Sequence, residues 1–551
     1  MNAAMCCQSL LLCCTLVGCG VARSRDGGPT PEPTADETGD GCAPETHSCI
    51  EGDSYLCSAS GDEGALDASC GESGCADGFC LDPCGEAARA RGPAGCFYRF
   101  DLPFTAEYQQ TVVLSVANPA ASAASATSVT IEAAGELWSA ATVPPGETVE
   151  LDLPGGLDSV FDWDGGADSH LIGFSVITLA ASQPVLLYLH HRWLGALEYG
   201  IFAATTDAME VRPTHSWGHA AVLFGEPSIG YGNLRPTLSD TLVRFPAEVV
   251  ADVPSGRWMQ SGEVFDPDDG WSGLATADGP VQVLVDPSQV LRLATFHDGD
   301  GTTPLPAADL TGTRLTSRWP LQSLVYRRTL FQPWDEGSYD LAFANVPARD
   351  QWAREYVLAP PPTPYWWRGT APVHVQLVAD ADPVTVTLSD GQVVEVEPRT
   401  GVDVRVDRPL VATSDGEFLA VMKLLTASVT CEPHCAPWES HWANWAGDPS
   451  YLNILPPGQW PQDALFAVPP DWPLVFVTIT AEMVTDVVLD GEALELSPIA
   501  DGRYGTVAAE LDEGVHRVQT PRGNGASVAV VGYGFWESYA HTTAPDLGPR
   551  E

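Results

Sequence analysis

The sequence has no long hydrophobic run, few basic residues and no familiar catalytic motif. Each of these absences excludes a class of function. No apolar stretch reaches the roughly 18 to 20 residues of a membrane-spanning helix, so we expect a body that a membrane holds only at its amino end. There are 73 aspartates and glutamates against 26 lysines and arginines, which gives a formal net charge of -47. Because such a surface repels polyphosphate, we expect no nucleic-acid partner.

The missing catalytic motifs belong to the commonest enzyme classes. The sequence contains no GxSxG, no HExxH, no P-loop and no GxGxxG after an apparent strand. These motifs mark nucleophilic serines, zinc centres and phosphate sites. We therefore predict no catalytic residue and favour a protein that is not an enzyme. A carbohydrate-active hydrolase, with two carboxyl groups about 5 to 10 Å apart, is the alternative.

The first apolar run is short and ends in TLVGCG, residues 15–20. Its length is typical of a signal peptide. Gly18 directly before Cys19 resembles the lipobox of bacterial lipoproteins, which implies cleavage after residues 1–18 and lipidation of Cys19. Several acyl chains anchor stably, since each buried methylene contributes about 0.8 kcal/mol. Gly20 after the cysteine implies the outer membrane or cell surface of a bacterium, and an ordinary cleaved signal peptide is the alternative.

The next segment, residues 19–41, is rich in Pro, Thr, Glu, Asp and Gly. It has too few large apolar side chains to offset the entropy of folding, so we predict a disordered tether. A flexible chain of this length spans on the order of 25 to 30 Å.

Cysteine is absent between Cys96 and Cys431, although the chain has 15 cysteines in all. An even number of clustered cysteines in an exported chain indicates disulfides, and eight cysteines allow 105 different pairings. Their spacing lacks the CxxC pairs of most zinc sites. We predict a disulfide-rich module over residues 42–95, which has few apolar residues and needs cross-links to stay folded. Its cysteines, with the first residue of the next region, are Cys42, Cys49, Cys57, Cys70, Cys75, Cys80, Cys84 and Cys96.

Two histidine-containing motifs are candidate metal sites. CEPHCAPWESHW offers Cys431, His434, Cys435 and His441 as zinc ligands, but export favours a disulfide between the two cysteines. In HSWGH, His215 and His219 share a face in a helix or a strand, yet no third ligand is near in sequence. A histidine pair at the surface or in the core is the favoured interpretation.

Acidic turns and aromatic clusters are further candidates for binding. Carboxylates on Gly-bent loops suit calcium, the one cofactor that we consider, although a very acidic chain also has acidic turns without a metal. Exposed aromatic rings suit protein or glycan binding, whereas buried ones only close the ends of sandwiches. The calcium candidates are Asp162, Asp164 and Asp168, then Asp266, Asp268, Asp269, Asp298 and Asp300; the aromatic candidates are Tyr365, Trp366, Trp367, Trp438, Trp442, Trp445 and Trp460.

From residue 96 onwards the sequence alternates apolar and polar residues in short runs between turns, as half-buried strands do. The DG dipeptides at Asp390-Gly391 and Asp490-Gly491 predict hairpins. A degenerate repeat in three copies indicates related units of about 70 to 100 residues. We predict an all-β fold of tandem sandwich-like units over residues 96–545. The approximate units are 96–195, 196–365, 366–445 and 446–541.

Several stretches resemble the IgGFc-binding protein N-terminal domain family, in its bacterial lipoprotein branch. They include GCFYRFDL, VVLSVANP, SQPVLLYLHH, TTDAMEVRP around Asp207, the specific GDPSYLNILPPGQWPQDALFAVPP over 447–470, and VAVVGYGFWESYAH. The resemblance covers most of 95–541, and the Cys-rich module is similar to modules that precede this domain. It implies a β-rich domain for extracellular binding and supplies no catalytic residues. We expect a lipid-anchored binding or adhesion protein for an extracellular protein or glycan, with a purely structural envelope protein as another alternative.

Overall fold

The computed structural model describes the cysteine-rich module and most of the β region. All structural statements below concern these described residues: 44–61, 64–102, 110–120, 125–133, 135–153, 170–173, 176–193, 207–226, 237–254, 263–266, 270–273, 280–295, 309–330, 340–364, 370–426, 429, 446–470, 472–500, 502–534 and 537–549.

The amino-terminal module consists of two small antiparallel sheets and the one α-helix of the described chain. Asp82 caps the helix by accepting a hydrogen bond from the Gly85 backbone N–H, and Pro83 suits its first turn because no N–H is needed there. Three disulfides of the module join pairs of described cysteines: Cys49–Cys75, Cys70–Cys80 and Cys84–Cys96. Cys57 is also disulfide-bonded, and Cys42 lies outside the described residues. The elements are β1 (His47–Ile50), β2 (Asp53–Cys57), β3 (Gly64–Ala68), β4 (Cys75–Ala76), β5 (Phe79–Cys80) and α1 (Pro83–Ala90).

The first sandwich consists of two sheets that share one long strand, β12. The first half of β12 lies between β6 and β8, and its second half lies between β7 and β13. The sheets have the orders β9-β8-β12-β6 and β10-β7-β12-β13. The strands are β6 (Gly95–Phe100), β7 (Gln110–Ala117), β8 (Thr127–Ala133), β9 (Glu136–Val143), β10 (Thr148–Asp152), β11 (His170–Gly173), β12 (Ile177–Trp193) and β13 (Asp207–Val211), of which β11 joins the next sandwich.

The second sandwich repeats this arrangement around the long strand β21. Its sheets have the orders β19-β16-β21-β14 and β20-β15-β21-β22, with β11 added outside β20. A separate hairpin, β17–β18, is inserted. The strands are β14 (Gly218–Val222), β15 (Thr237–Val243), β16 (Ala247–Asp252), β17 (Glu263–Asp266), β18 (Gly270–Gly273), β19 (Val281–Val285), β20 (Gln289–Ala294), β21 (Arg314–Leu330) and β22 (Asp340–Val346).

The third sandwich has the same topology, and its described residues contain no inserted hairpin. Its sheets have the orders β26-β25-β28-β23 and β27-β24-β28-β29. The strands are β23 (Ala353–Leu358), β24 (Val373–Val378), β25 (Val384–Leu388), β26 (Val393–Val396), β27 (Gly401–Val406), β28 (Leu410–Leu424) and β29 (Tyr451–Asn453).

In the fourth sandwich two strands, β36 and β37, replace the single long strand. The sheets have the orders β33-β32-β36-β30 and β35-β31-β37-β38, with β34 outside β35. The strands are β30 (Asp463–Val468), β31 (Leu474–Glu482), β32 (Asp486–Leu489), β33 (Glu492–Leu494), β34 (Ser497–Ile499), β35 (Tyr504–Leu511), β36 (Gly514–Arg522), β37 (Ala526–Gly534) and β38 (Glu537–Thr542).

A proline or glycine lies where each long strand passes from one sheet to the other. Pro184 and Pro320 lie near the middle of β12 and β21, and Gly416 near the middle of β28. Proline lacks the N–H that a continuous ladder needs, and glycine tolerates the bend. In the fourth sandwich Gly523 and Gly525 both have positive φ, and the strand breaks there into two. Local sequence therefore sets the point at which the sheets separate.

The four sandwiches form a closed ring. Each hydrophobic core continues into the next sandwich, from the first to the second, the second to the third, the third to the fourth, and the fourth back to the first. The last strands of the sandwiches, β13, β22, β29 and β38, contact one another in that cyclic order at the centre. The all-β prediction is confirmed, and the three-copy repeat read from sequence extends to a fourth copy, the second sandwich.

The one described α-helix, α1, has 8 residues. No helix in the described part of the chain is long and apolar enough to cross a membrane.

Candidate functional site

The centre of the ring is built around the carboxylate of Asp207, at the start of β13. Its Oδ2 accepts a hydrogen bond from the backbone N–H of Phe343 at 2.9 Å, and its Oδ1 accepts one from the hydroxyl of Ser450 at 2.7 Å. The backbone N–H of Ala540 also donates to Oδ1, at 3.4 Å. These partners belong to the second, third and fourth sandwiches, so one carboxylate joins all four. Burial raises the pKa of Asp207 well above its ordinary value, and the hydrogen bonds oppose that rise.

Amide side chains continue the polar centre beside Asp207. The side chain of Asn345 donates to the backbone carbonyl of Glu210 and accepts a hydrogen bond from Gln322 Nε2 at 2.8 Å. Asn453 donates in turn to the carbonyl of Asn345 at 2.9 Å. All four residues are buried. Because buried polar groups are costly unless paired, this network favours one arrangement of the inner strands.

The three junctions between sandwiches share a local motif of a proline, a short 3₁₀ helix and a tryptophan. The helices are Thr214–Ser216, Arg349–Gln351 and Pro457–Gln459, each followed by a buried tryptophan. Trp217 and Trp460 donate through Nε1 to the carbonyls of Arg212 and Leu455. The motif fixes the direction in which each new sandwich starts.

Gln351 connects the three junctions. Its Oε1 accepts a hydrogen bond from Arg212 Nη1 at 2.5 Å, and its Nε2 donates to the carbonyl of Ser216 at 2.7 Å. Gln459 Nε2 donates to the backbone carbonyl of Gln351 at 2.6 Å. One glutamine thus holds the first and third junctions against the second.

The seam between the first and second sandwiches contains a pair of carboxyl groups, Asp101 and Asp240. Arg292 binds Asp240 in a bidentate pair, with distances of 2.9 and 2.7 Å. Burial and the neighbouring Asp240 raise the pKa of Asp101 well above its ordinary value. Each aspartate is only 1% exposed. Both carboxyl groups are therefore inaccessible to a substrate, and they belong to the contact between the two sandwiches.

The seam between the first and fourth sandwiches is aromatic. Tyr188 donates through its hydroxyl to the carbonyl of Leu465 at 3.0 Å. The ring of His541 packs against those of Tyr188 and His190. Burial lowers the pKa of His541 to about 4, so this histidine is neutral at physiological pH.

Exposed apolar side chains recur at one place in the topology, the edge strands β9, β19 and β26. These equivalent strands carry Leu137, Leu284 and Val393, which are 62%, 64% and 58% exposed. Each strand pairs with a single neighbour among the described strands. An edge with free backbone groups and an exposed apolar side chain is suited to contact with another protein. We call β9, β19 and β26 the apolar edge strands.

A family model described as IgGFc binding protein matches residues 207–534. This chain belongs to the IgGFc-binding protein family. The match begins at Asp207 and covers the second and third sandwiches and the fourth as far as the end of β37. No curated protein matches the chain. The resemblance to this family that the sequence predicts is therefore confirmed, and the family is one of binding proteins.

Several candidates from the sequence lie in the described part of this chain. His215 is in the first junction helix, where its Nε2 is 3.1 Å from the carbonyl of Gly92, and burial lowers its pKa to about 4. His219 is in β14. Trp460 is buried in the third junction. Asp266 ends β17. No group of three metal-ligating side chains occurs within the described ranges.

The remaining candidates lie outside the described residues, so their geometry does not enter the site. They are Cys19, Cys42, Asp162, Asp164, Asp168, Asp268, Asp269, Asp298, Asp300, Tyr365, Trp366, Trp367, Cys431, His434, Cys435, Trp438, His441, Trp442 and Trp445.

Sequence reasoning missed the central role of Asp207 and the junction motif. In the sequence, Asp207 stands out only as part of the TTDAMEVRP segment that resembles the family. The junctions had a usable signal, since a proline precedes a tryptophan by four or five residues in PTHSW, PARDQW and PPGQW. No sequence signal shows that the three junctions meet at Gln351, because the segments are more than a hundred residues apart.

Proposed function

We propose that this chain is a surface lipoprotein that binds an extracellular protein and performs no catalysis. Membership of the IgGFc-binding family is the observation that supports a binding role. The disulfides of the amino-terminal module support an oxidising compartment outside the cytosol. The TLVGCG segment supports a lipid anchor at Cys19 and the outer membrane or surface of a bacterium as its place.

The apolar edge strands are the proposed contact surface. Leu137, Leu284 and Val393 present aliphatic side chains on equivalent strands of three sandwiches. Aliphatic groups pack against protein side chains, whereas glycan recognition depends on flat aromatic rings and polar groups. The net charge of -47 favours a partner with a basic surface. Three equivalent sites on one ring also allow multivalent contact.

A binding array tests the proposed function. The mature full-length chain is immobilised and presented with extracellular proteins and with glycans. We expect a basic extracellular protein to bind, and the combined variant Leu137→Glu, Leu284→Glu and Val393→Glu to lose that binding. Val484→Glu is the matched control, because Val484 is 81% exposed but lies outside the apolar edge strands. Binding of glycans alone, or an unaffected triple variant, contradicts the proposal.

Labelling with a fatty-acid analogue tests the anchor separately. We expect the label on the wild-type chain and on Cys14→Ala, and its loss in Cys19→Ala. Label that persists in Cys19→Ala contradicts lipidation at Cys19.

A further inference from the structure

Lys423, in β28, has an ammonium group buried between two carboxyl groups. Its side chain has no exposed surface. Nζ lies 2.9 Å from Oδ1 of Asp403, contacts Oε1 of Glu226, and lies 3.4 Å from the carbonyl of Gly225. The amine of Lys423 and the carboxyl group of Asp403 are thus held within hydrogen-bond distance of each other, and a second carboxyl group contacts the same nitrogen.

Strand register brings the amine and the Asp403 carboxyl together. Lys423 and Arg405 both lie opposite His374, from the two sides of β24. Asp403 is two residues before Arg405 in β27, so it lies on the same face of the sheet. The long lysine side chain crosses β24 to reach it. Both groups belong to the third sandwich, and the sheet fixes their separation.

The second sandwich supplies Glu226 to this pair. Gln376 of β24 holds the neighbouring Gly225 by two hydrogen bonds, one accepted from its N–H at 3.1 Å and one donated to its carbonyl at 2.8 Å. Glu226 is therefore fixed against Lys423. Burial raises the pKa of Glu226 to about 7, and Lys423 opposes the rise. At neutral pH this carboxyl group can both donate and accept a proton.

Other titratable groups face the same cluster. Burial lowers the pKa of Lys423, but Asp403 and Glu226 outweigh that effect and raise it above its ordinary value. Tyr451 also acts on Lys423, and Arg327 acts on Glu226. Further groups that interact with members of the cluster are His374 and Asp309. Lys423 is therefore an ammonium at rest, and its nitrogen becomes a nucleophile only after giving up a proton within the cluster.

We propose that Lys423 and Asp403 condense into an intramolecular amide bond, with Glu226 as the acid–base group. The ammonium passes one proton to the Asp403 carboxylate along their hydrogen bond, which gives an amine and a carboxylic acid. Nζ then attacks Cγ of Asp403 and forms the N–C bond. Glu226 accepts the second amine proton and returns a proton to the departing hydroxyl, the C–O bond breaks, and one water molecule leaves. No oxidant, cofactor or other reactant is consumed.

Burial favours the amide over the ion pair. The Lys423 ammonium is fully buried, and a buried charge carries a desolvation cost that a neutral amide nitrogen does not carry. The amide is neutral, and Glu226 remains beside it as a hydrogen-bond partner. Asp403 is 33% exposed on its side chain, so the released water has a way out. The bond ties β27 to β28 and makes the third sandwich resistant to unfolding, independently of what the chain binds.

Peptide mass spectrometry of the full-length chain tests the bond directly. Trypsin does not cut after an acylated lysine, so we expect a branched peptide that joins residues 400–405 to the segment starting at residue 406 and containing Lys423. Its mass equals the sum of the two peptides minus one water. Cleavage after Lys423 and two separate linear peptides in the wild-type protein overturn the proposal.

Three variants separate the chemistry from folding. Asp403→Asn keeps the reaction but releases ammonia, so the branched peptide forms with loss of ammonia rather than water. Asp403→Ala gives no branched peptide. Glu226→Gln keeps both reacting groups, and we expect the amide to form roughly a hundredfold or more slowly. A branched peptide in Asp403→Ala, or formation at the wild-type rate in Glu226→Gln, overturns the assignment of the carboxyl partner or of the acid–base group respectively.

Discussion

Ser450 donates a hydrogen bond of 2.7 Å to Asp207 although the two residues are 243 positions apart. The same carboxylate accepts hydrogen bonds from the second and fourth sandwiches. The first and third sandwiches are thereby linked across the centre of the ring, in addition to their contacts with adjacent sandwiches. The Asp207 carboxylate thus contacts all three other sandwiches.

Asp207→Asn is expected to destabilise the whole ring. An amide has one acceptor oxygen and places N–H groups against the donors that surround Asp207, so buried donors lose their partners. We expect the free energy of unfolding to fall by roughly 2 to 4 kcal/mol, measured by denaturant titration. The control is Asp486→Asn, in an exposed pair with Arg522, where we expect a change within about 0.5 kcal/mol. Equal effects for the two variants contradict the central role of Asp207.

Gln351→Glu tests the meeting of the three junctions. The carboxylate still accepts from Arg212, but it cannot donate to the carbonyl of Ser216. We expect a loss of about 1 to 3 kcal/mol in the same titration. Gln392→Glu, at an exposed position in the β25–β26 turn, is the control and is expected to change little. If Gln351→Glu leaves the free energy of unfolding unchanged, the junctions do not depend on this side chain.

Acid is expected to destabilise the seam between the first and fourth sandwiches. Burial lowers the pKa of His541 to about 4 from 6.5, so below pH 6.5 the unfolded chain binds the proton more readily than the folded chain. The stability that His541 contributes is present above pH 6.5 and is lost as the pH falls to about 4, by about 3 kcal/mol. His541→Gln should flatten the stability profile in this window. A slope that does not change in the variant argues against a buried neutral histidine.

Alkaline pH is expected to act through Glu537. Burial raises its pKa to about 8 from 4.5, so the folded chain holds the proton more tightly than the unfolded chain. Stability from this group is complete below pH 4.5 and is lost as the pH rises through 8. Glu537→Gln should therefore gain about 2 to 4 kcal/mol relative to the wild type at pH 9, with the exposed Glu510→Gln as control. A gain at pH 5 instead of pH 9 contradicts the sign of this shift.

Local features of the fold could be predicted from sequence. The dipeptides at Asp390-Gly391 and Asp490-Gly491 form the turns of β25–β26 and β32–β33. Both residues of the second dipeptide have positive φ, whereas in the first only Gly391 does. Alternating apolar residues and turn dipeptides act over a few positions, so they can be read directly.

The ring itself could not be predicted, because its contacts join distant residues. Nothing near Asp207 in sequence points to Phe343, Ser450 or Ala540. The histidines of HSWGH show the opposite problem. They are close in sequence, but His215 lies in a 3₁₀ helix and His219 in the following strand. Spacing rules for one regular element do not hold across such a boundary.

Native-state hydrogen exchange of the wild-type chain and Asp207→Ala tests the closed ring most directly. The measurement follows peptides that cover β13, β22, β29 and β38. If Asp207 joins the four sandwiches, these strands exchange with similar opening free energies in the wild type, and the variant lowers all four together. Faster exchange of β13 alone, with the other three strands unchanged, contradicts the ring as one cooperative body.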